Sequence, residues 1–308
     1  MKKSFADIPG FETWESVNLL NKGWSTDKKY IVKTKAGETL LLRIADEESF
    51  EQKKKEYEII CKYVTLGFEM SKPLGFGLCD NGEHTYMLLT WVEGEDLEEA
   101  LPKLSEKEQY ELGRSAGRIL KQIHSIPVEA GDVPEQTKMA KKLLQLSRYE
   151  ESQVRIANDE TAVQYVKDNI DKFWLEPPVY MHGDFHPGNL IFTPQKTLGV
   201  IDFNRWEVGD PYEEFYKLES FGVELSVPYC VGQIDAYFDD NIPMQFWETL
   251  AVYVAHASLF SIKWAEKFGQ EEIDGMVRRC LAAMEHYDGF KKLVPSWYEE
   301  YKKTIERG

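Results

Sequence analysis

The amino-acid sequence predicts an α+β fold with two lobes: a small β-rich N-terminal lobe, residues 1–92, and a larger, mostly helical C-terminal lobe, residues 93–308. Three observations predict this fold. Short apolar runs separated by turn residues fill the first ninety positions, and helical spacing of apolar residues takes over after Gly94. One strand-rich interruption, residues 179–206, lies inside the helical part.

The N-terminal lobe is predicted to consist of strands around one helix. Tyr30–Thr34 and Thr39–Ile44 are short apolar runs typical of buried strands, and residues 35–38 between them are typical of a hairpin turn. Apolar residues at helical spacing predict a helix over 46–63, with a lysine-rich polar face. Two further strands are predicted at 73–77 and 85–91.

The C-terminal lobe is predicted to be helical apart from the interruption. Ser105 and Glu108 form a capping-box pair that opens a helix, and Pro127 ends that helix. Further helices are predicted at 135–149, 158–173, 211–221, 244–267, 270–287 and 295–306. The longest apolar stretch, near 251–260, is too short to span a bilayer. It predicts a buried helix, and no membrane partner is expected.

The charge of the chain is strongly acidic and unevenly distributed. The sequence holds 53 acidic and 37 basic side chains, a formal net charge of −16, and almost all of the excess lies in residues 93–308. A nucleic-acid partner is not expected, because binding to a phosphate backbone requires the opposite sign. A cationic partner and simple solubility are both compatible with this charge. Four cysteines without a CxxC pair, and an N-terminus without an apolar leader, predict reduced thiols in a cytoplasmic protein.

One short constellation carries chemistry. His182, Asp184 and Asn189 form the pattern His-x-Asp-x-x-x-x-Asn, and Asp202 follows across a predicted hairpin. Phosphoryl transfer requires a carboxylate that orients the acceptor hydroxyl and takes its proton, and oxygen ligands that hold Mg²⁺ against the phosphates. Asp184 suits the first task, and Asn189 with Asp202 suits the second, because Mg²⁺ prefers hard oxygen ligands. The hairpin is expected to return Asp202 beside Asn189.

These motifs resemble those of the aminoglycoside phosphotransferase and choline kinase-like family, small-molecule kinases with a protein-kinase-like fold. The pattern H-G-D-x-x-x-x-N, then I-D-F/W, then G-D-P is matched at 182–189, 201–203 and 209–211. The order of the lobes also matches, so the resemblance covers nearly the whole chain. It implies that Asp184 is the catalytic base, that Asn189 and Asp202 are the magnesium ligands, and that His182 is structural. His186 is left with two roles, phosphate contact or loop shaping, and Asp210 is expected to cap a helix that begins at Pro211.

The resemblance also implies a site for ATP or GTP in the N-terminal lobe. A basic residue on the third strand is expected to reach the phosphates, held by a Glu on the following helix. Arg43 fits the first position, and Glu56 fits the second better than Glu58, which points to another side of the helix. The remaining nucleotide contacts are expected from the phosphate-covering turn and from the connector between the lobes: Ser25, Thr26, Thr90 and Val92.

The acceptor is less defined by the sequence. Asp202-Phe203 is followed by Asn204 and only a short segment before Gly209, which leaves no activation segment of a protein kinase. The lobe after Pro211 carries acids among aromatic residues, which favours a cationic acceptor, although each acid alone is typical of a solvated helix face: Glu213, Glu214, Glu219, Glu224, Asp235, Asp239 and Asp240. Three functions stay open: an antibiotic kinase of the aminoglycoside type, a kinase for choline, a sugar or a macrolide-like acceptor, and a non-catalytic pseudokinase.

Overall fold

A computed structural model describes residues 5–20 and 27–307. The strands in these residues are β1 Trp14–Leu20, β2 Lys28–Thr34, β3 Thr39–Asp46, β4 Glu69–Met70, β5 Pro73–Cys79, β6 His84–Thr90, β7 Glu95–Asp96, β8 Val179–Met181, β9 Leu190–Phe192, β10 Leu198–Val200 and β11 Glu207–Gly209. The α-helices are α1 Phe50–Tyr63, α2 Leu97–Ala100, α3 Glu106–His124, α4 Met139–Glu150, α5 Glu160–Asp168, α6 Val227–Tyr237, α7 Met244–Ala265, α8 Gln270–His286 and α9 Ser296–Arg307. The predicted α+β fold, with a β-sheet N-terminal region and a helical C-terminal part, is confirmed.

The chain divides into two compact units. Unit 1 comprises residues 1–96 and 189–206, and unit 2 comprises residues 97–188 and 207–308. The predicted boundary at 92/93 differs from this division, because the strand-rich insertion pairs with strands of the N-terminal region. Strand β10 runs parallel to β4, and β9 runs antiparallel to β7, so 189–206 belongs with unit 1.

The main sheet of unit 1 has five antiparallel strands in the order β1-β2-β3-β6-β5. Alternation along the strands gives it one strongly apolar face. Residues of that face pack with the N-terminal segment into one core, which contains Phe5, Ile8, Trp14, Tyr30, Val32, Leu40, Leu42, Ile44, Cys79, Tyr86 and Leu88. The opposite face carries Arg43 of β3 toward α1, where Glu56 is buried. Strand β1 was not among the elements that the sequence predicted.

Unit 2 is built mainly from helices, and its longest elements agree closely with the predicted ranges. The predicted capping box is present at the start of α3: the Glu108 backbone N–H donates to the Ser105 hydroxyl, and the Glu108 carboxylate accepts from the Ser105 backbone N–H. The predicted buried helix near 251–260 lies in α7, where all but Phe260 of that stretch is buried. No helix among the described residues is long and apolar enough to cross a membrane.

Two helical segments differ from the sequence prediction. The predicted helix at 211–221 is a 3₁₀ helix, Pro211–Phe215, followed by a π-helical turn, Leu218–Gly222. Helix α6 was not predicted, because Gly232 in its middle lowers helix propensity. Its glycine serves packing: a Cβ at Gly232 would lie 2.3 Å from the carbonyl oxygen of Tyr110 in α3, so only glycine lets the two backbones approach this closely.

Candidate active site

The loop around the candidate base Asp184, residues 182–188 of unit 2, is anchored through its backbone. The carboxylate of Glu214 accepts hydrogen bonds from the backbone N–H of Gly183 at 2.7 Å and of His182 at 3.0 Å. Glu214 is 2% exposed, so these bonds compensate for the loss of water around its charge. This buried carboxylate therefore fixes the backbone directly before Asp184.

The short helix that carries Glu214 is itself held by Asp210. The Asp210 side chain accepts from the Tyr212 backbone N–H at 3.0 Å, which is the predicted N-cap. Its second oxygen accepts from the backbone N–H of Trp174 and from the Tyr253 hydroxyl, both at 2.8 Å. Burial raises the pKa of Asp210 despite these bonds. The Gly-Asp-Pro motif therefore positions the short helix whose Glu214 holds the loop of Asp184.

A lysine contacts the carboxylate of Asp184. Lys217 Nζ donates to Asp184 Oδ1 at 2.6 Å, and its ammonium lies 5.0 Å from the Tyr216 ring centre and 5.5 Å from that of Phe221. Burial by itself lowers the pKa of Lys217, but interactions with Tyr216 and Asp184 raise it overall, so the side chain stays cationic. Asp184 therefore has a charged hydrogen-bond donor on one of its oxygens.

The two histidines of the loop shape its conformation. The buried His182 accepts the Asp184 backbone N–H at its Nδ1, at 3.2 Å. His186 accepts the Gly188 backbone N–H at Nδ1, at 3.1 Å, and its ring packs on Phe221 at 4.9 Å. Its Nε2 lies 3.7 Å from Asp184 Oδ1. These contacts support a structural role for His182 and a loop-shaping role for His186.

In unit 1, the hairpin of β9 and β10 brings Asn189 and Asp202 to the same end. Leu190 pairs with Val200, and the Ile201 backbone N–H donates to the Asn189 carbonyl at 3.1 Å. Asp202 is the residue after Ile201, and its φ of 62° lies in the left-handed region that is uncommon for residues other than glycine. Uncommon backbone conformations of this kind cluster at functional sites. The predicted return of Asp202 beside Asn189 is therefore present in the backbone.

The chemistry of this hairpin end fits a magnesium ion. Asn189 offers an amide oxygen and Asp202 a carboxylate, which are the hard donors that Mg²⁺ prefers. Asp202 already lies beside a cation, because Lys29 Nζ donates to its Oδ2 at 2.8 Å. The two residues remain candidate ligands.

The predicted basic residue of β3 forms an ion pair with the predicted glutamate. Arg43 Nη1 donates to Glu56 Oε1, and Glu56 is 2% exposed whereas Glu58 is exposed on another side of α1. Arg43 also donates from Nη2 and Nε to Asp27 Oδ2, at 2.5 and 3.1 Å, and Lys53 Nζ contacts Asp27 at 2.7 Å. Burial alone would raise the pKa of Asp27, but Arg43 and Lys53 hold it below the usual value. Arg43 is thus the centre of a buried ionic cluster.

The other residues predicted to contact the nucleotide are Ser25, Thr26, Thr90 and Val92. Ser25 and Thr26 lie outside the described residues. The Thr90 backbone N–H donates to the Lys72 carbonyl at 2.9 Å, so it is engaged in the sheet. Val92 lies in the irregular stretch after β6, and its buried side chain packs against Gly199, where a Cβ would lie 2.4 Å from Val92 Cγ1. Whether Thr90 or Val92 contacts a base stays a prediction.

The acids of the C-terminal part have partners within the protein. Each of the seven is engaged: Glu213 with Lys138 and Lys142, Glu214 with the loop backbone, Glu219 with His286 and Trp297, Glu224 with Arg279, Asp235 with Tyr110, Tyr298 and Lys302, Asp239 with Lys121, and Asp240 with Arg114. The expectation of solvated helix faces is wrong for the four that are buried, Glu213, Glu214, Glu219 and Asp235. Buried carboxylates are normally paired, because an unpaired buried charge is costly.

Sequence reasoning missed two residues beside these candidates, Lys29 and Lys217, and it gave Glu214 another role, as one of the acids that favour a cationic acceptor. A signal existed for Glu214 and Lys217, because with Glu213 they interrupt a segment of aromatic residues, Tyr212, Phe215 and Tyr216. Charged residues inside such a segment indicate buried ionic partners. No comparable signal marked Lys29, which stands in a lysine pair at the start of β2.

The chain is similar to a phosphotransferase family in sequence and to several antibiotic kinases in fold. A model of the phosphotransferase enzyme family matches residues 16–251, and no curated protein matches the chain significantly. The fold is shared with aminoglycoside 2'-phosphotransferase-IIIa in its GDP complex, at 18% identity and a TM-score of 0.67 over 91% of this chain and 95% of that chain. It is also shared with APH(2")-IIa in a ternary complex with streptomycin and ATP, at 20% identity and a TM-score of 0.61 over 88% and 93% of the two chains. The amicoumacin kinase hAmiN, in complex with AMP-PNP and Ca²⁺, matches at 14% identity and a TM-score of 0.62 over 91% and 90%.

The fold and the family match define the class of the protein. It is a phosphotransferase, and its fold is that of the aminoglycoside and amicoumacin kinases named above. The chain belongs to the phosphotransferase enzyme family, whose model covers more than half of its length.

Proposed function

We propose that this protein transfers the γ-phosphate of ATP or GTP to a hydroxyl of a small molecule, with Asp184 as the base. The single observation that supports this most is the arrangement at Asp184, where Glu214 fixes the preceding backbone and Lys217 holds one carboxylate oxygen. A carboxylate oriented in this way has a defined direction in which to accept a proton. Free cysteines, of which Cys61 is half-buried and the other three are buried, are compatible with a cytoplasmic location, as is nucleotide use.

The proposed reaction is a single displacement. Asp184 accepts the proton of the acceptor hydroxyl, the hydroxyl oxygen forms a bond to the γ-phosphorus, and the bond from that phosphorus to the bridging oxygen of the β-phosphate breaks. The products are a phosphorylated acceptor and ADP or GDP. Asn189 and Asp202 are the residues that would hold Mg²⁺, which neutralises charge on the phosphate oxygens when bound.

An aminoglycoside-type acceptor is the first candidate. Aminoglycoside phosphotransferases share the fold, and the net charge of −16 is compatible with a cationic acceptor. Such an activity would make the protein an antibiotic-resistance kinase. The antibiotic and nucleotide complexes belong to those relatives, and the fold alone does not carry their acceptor over to this chain.

A neutral hydroxyl compound is the second candidate, and a specific observation favours it. The seven acids whose presence in the sequence favoured a cationic acceptor pair with other residues of this protein. In addition, the ammonium group of Lys217 contacts Asp184. The charge of Lys217 would repel the ammonium groups of a polycationic acceptor near the reacting hydroxyl. A neutral sugar or a neutral macrolide-like alcohol would not be repelled.

The acceptor can be tested directly. We expect coupled assays of ADP or GDP release, with Mg²⁺, to show acceptor-dependent turnover in a panel of kanamycin-like, macrolide, choline and sugar compounds. Mass spectrometry should find an added phosphate on the active compound. Nucleotide binding without hydrolysis or transfer would overturn the kinase proposal and favour a nucleotide-binding pseudokinase. Failure of the protein to bind either nucleotide, together with no turnover, would overturn both interpretations.

Substitution of Lys217 tests the geometry at the base. We expect Lys217→Met to lower kcat about tenfold or more with little change in KM for the nucleotide, because a hydrogen bond to a charged group is worth about 1.5–3 kcal/mol. Lys217→Arg should restore much of the activity, since it keeps a cationic donor. Lys121→Met, which removes an exposed lysine paired with Asp239, is the matched control. Equal kcat in Lys217→Met and wild type would contradict this role.

A further inference from the structure

Two cations stand side by side on neighbouring strands of the unit 1 sheet. Lys29 of β2 and Arg43 of β3 are register partners in the antiparallel pair. Residues that face each other across such a pair project from the same side of the sheet. The sheet therefore offers two basic side chains at the position where the family pattern expects one.

Arg43 is committed to carboxylates of the protein. Each of its three nitrogen atoms donates to Asp27 or Glu56, and the residue is 3% exposed. Lys53 forms ion pairs with the same two acids, with its Nζ 2.7 Å from Asp27 Oδ2 and 3.2 Å from Glu56 Oε2. The hydrogen bonds of Arg43 use three of its five N–H groups, and turning the side chain toward a phosphate would leave buried carboxylates uncompensated, which is strongly unfavourable.

Lys29 is placed differently. Its ammonium donates to Asp202 Oδ2 at 2.8 Å, and its side chain is 12% exposed. Asp202 is a candidate ligand of Mg²⁺, and the ion held there would neutralise charge on the phosphates of the nucleotide. A cation within hydrogen-bond distance of this carboxylate is therefore within reach of the same phosphates. A lysine suits this task because its compact charge lies on a flexible stem with three donors.

We propose that Lys29 on β2 binds the nucleotide phosphates, and that Arg43 on β3 is a structural cation that anchors Glu56 and Asp27. This inference rests on the proposed use of a nucleotide, but not on the identity of the acceptor. It moves the phosphate-binding role from the residue that the motif pattern indicates to its neighbour across the strand pair.

Calorimetric titration without any acceptor tests the inference. We expect Lys29→Met to weaken ATP binding by about ten- to hundredfold and to leave adenosine binding unchanged, because only ATP carries phosphates. Lys29→Arg should keep most of the ATP affinity. Lys28→Met is the matched control, since Lys28 is the exposed neighbour on the same strand. The loss in Lys29→Met should persist in EDTA, because the ammonium contacts phosphate without the metal.

Four other outcomes of these titrations would overturn the inference, and one of them would also overturn the kinase proposal. Unchanged ATP affinity in Lys29→Met would overturn the inference while the kinase proposal stands. Loss of adenosine and ATP binding together would overturn it as well, because the defect would then be structural. Loss of ATP affinity only when Mg²⁺ is present would show that Lys29 acts through Asp202, which contradicts direct phosphate contact. A wild-type protein that binds no ATP would overturn the kinase proposal and this inference with it.

Discussion

Asp184→Asn is expected to lower kcat by about 10²–10⁴-fold, the range that removal of a general base typically costs. Asparagine has nearly the same shape as aspartate, and its amide oxygen can still accept from Lys217, which contacts Asp184 Oδ1 at 2.6 Å. The loop should stay in place, because Glu214 holds it through the backbone of His182 and Gly183. The substitution therefore removes the proton acceptor and preserves the surroundings.

The measurement is acceptor-dependent ADP release together with nucleotide affinity. The affinity of Asp184→Asn for ATP should match that of the wild type, and its melting temperature should change little. Asp168→Asn, at an exposed position where Gln164 is the hydrogen-bond partner, provides the matched control. Activity within threefold of the wild type would refute Asp184 as the base. His186 would then be the next residue to test, since its Nε2 lies 3.7 Å from Asp184.

The part of the site that the sequence predicted well is local along the chain. Asn189 and Asp202 flank a hairpin of two short strands, so the spacing of apolar runs was enough to predict that their backbones meet. The N-cap role of Asp210 also follows from its neighbours, Gly209 and Pro211. In both cases the controlling interactions span at most a dozen residues, which is the range that periodicity and turn signals report.

The part that the sequence did not reveal depends on distant partners. Lys29 contacts a residue 173 positions away, and Lys217 contacts one 33 positions away. No local pattern reports such pairs, because they form only when the fold brings the segments together. The acidic bias of the sequence has the same limit as a predictor. Asp235 pairs with Lys302 of α9, so a count of acidic residues includes residues paired within the fold as well as charges on its surface.

The same dependence on distant partners explains why Arg43 was assigned to the nucleotide. Its position on β3 matched the family pattern, and the predicted ion pair with Glu56 is present. Its contacts with Asp27 could not be foreseen, because the sequence predicts only a turn before Asp27 and gives no partner for its carboxylate. The structure thus gives Arg43 a stability role that can be measured separately from binding.

Arg43→Met is expected to destabilise unit 1 by about 3–5 kcal/mol, because it leaves buried carboxylates without their main cation. Hydrogen exchange of peptides from β3 and α1 should lose about two to four orders of magnitude in protection. Adding Glu56→Gln should recover part of the loss, since the uncompensated charge at that position is then gone. Lys29→Met should change the same exchange far less. Equal exchange in Arg43→Met and wild type would contradict the structural role and return Arg43 to the phosphates, because a cation whose removal costs no stability is free to serve a ligand.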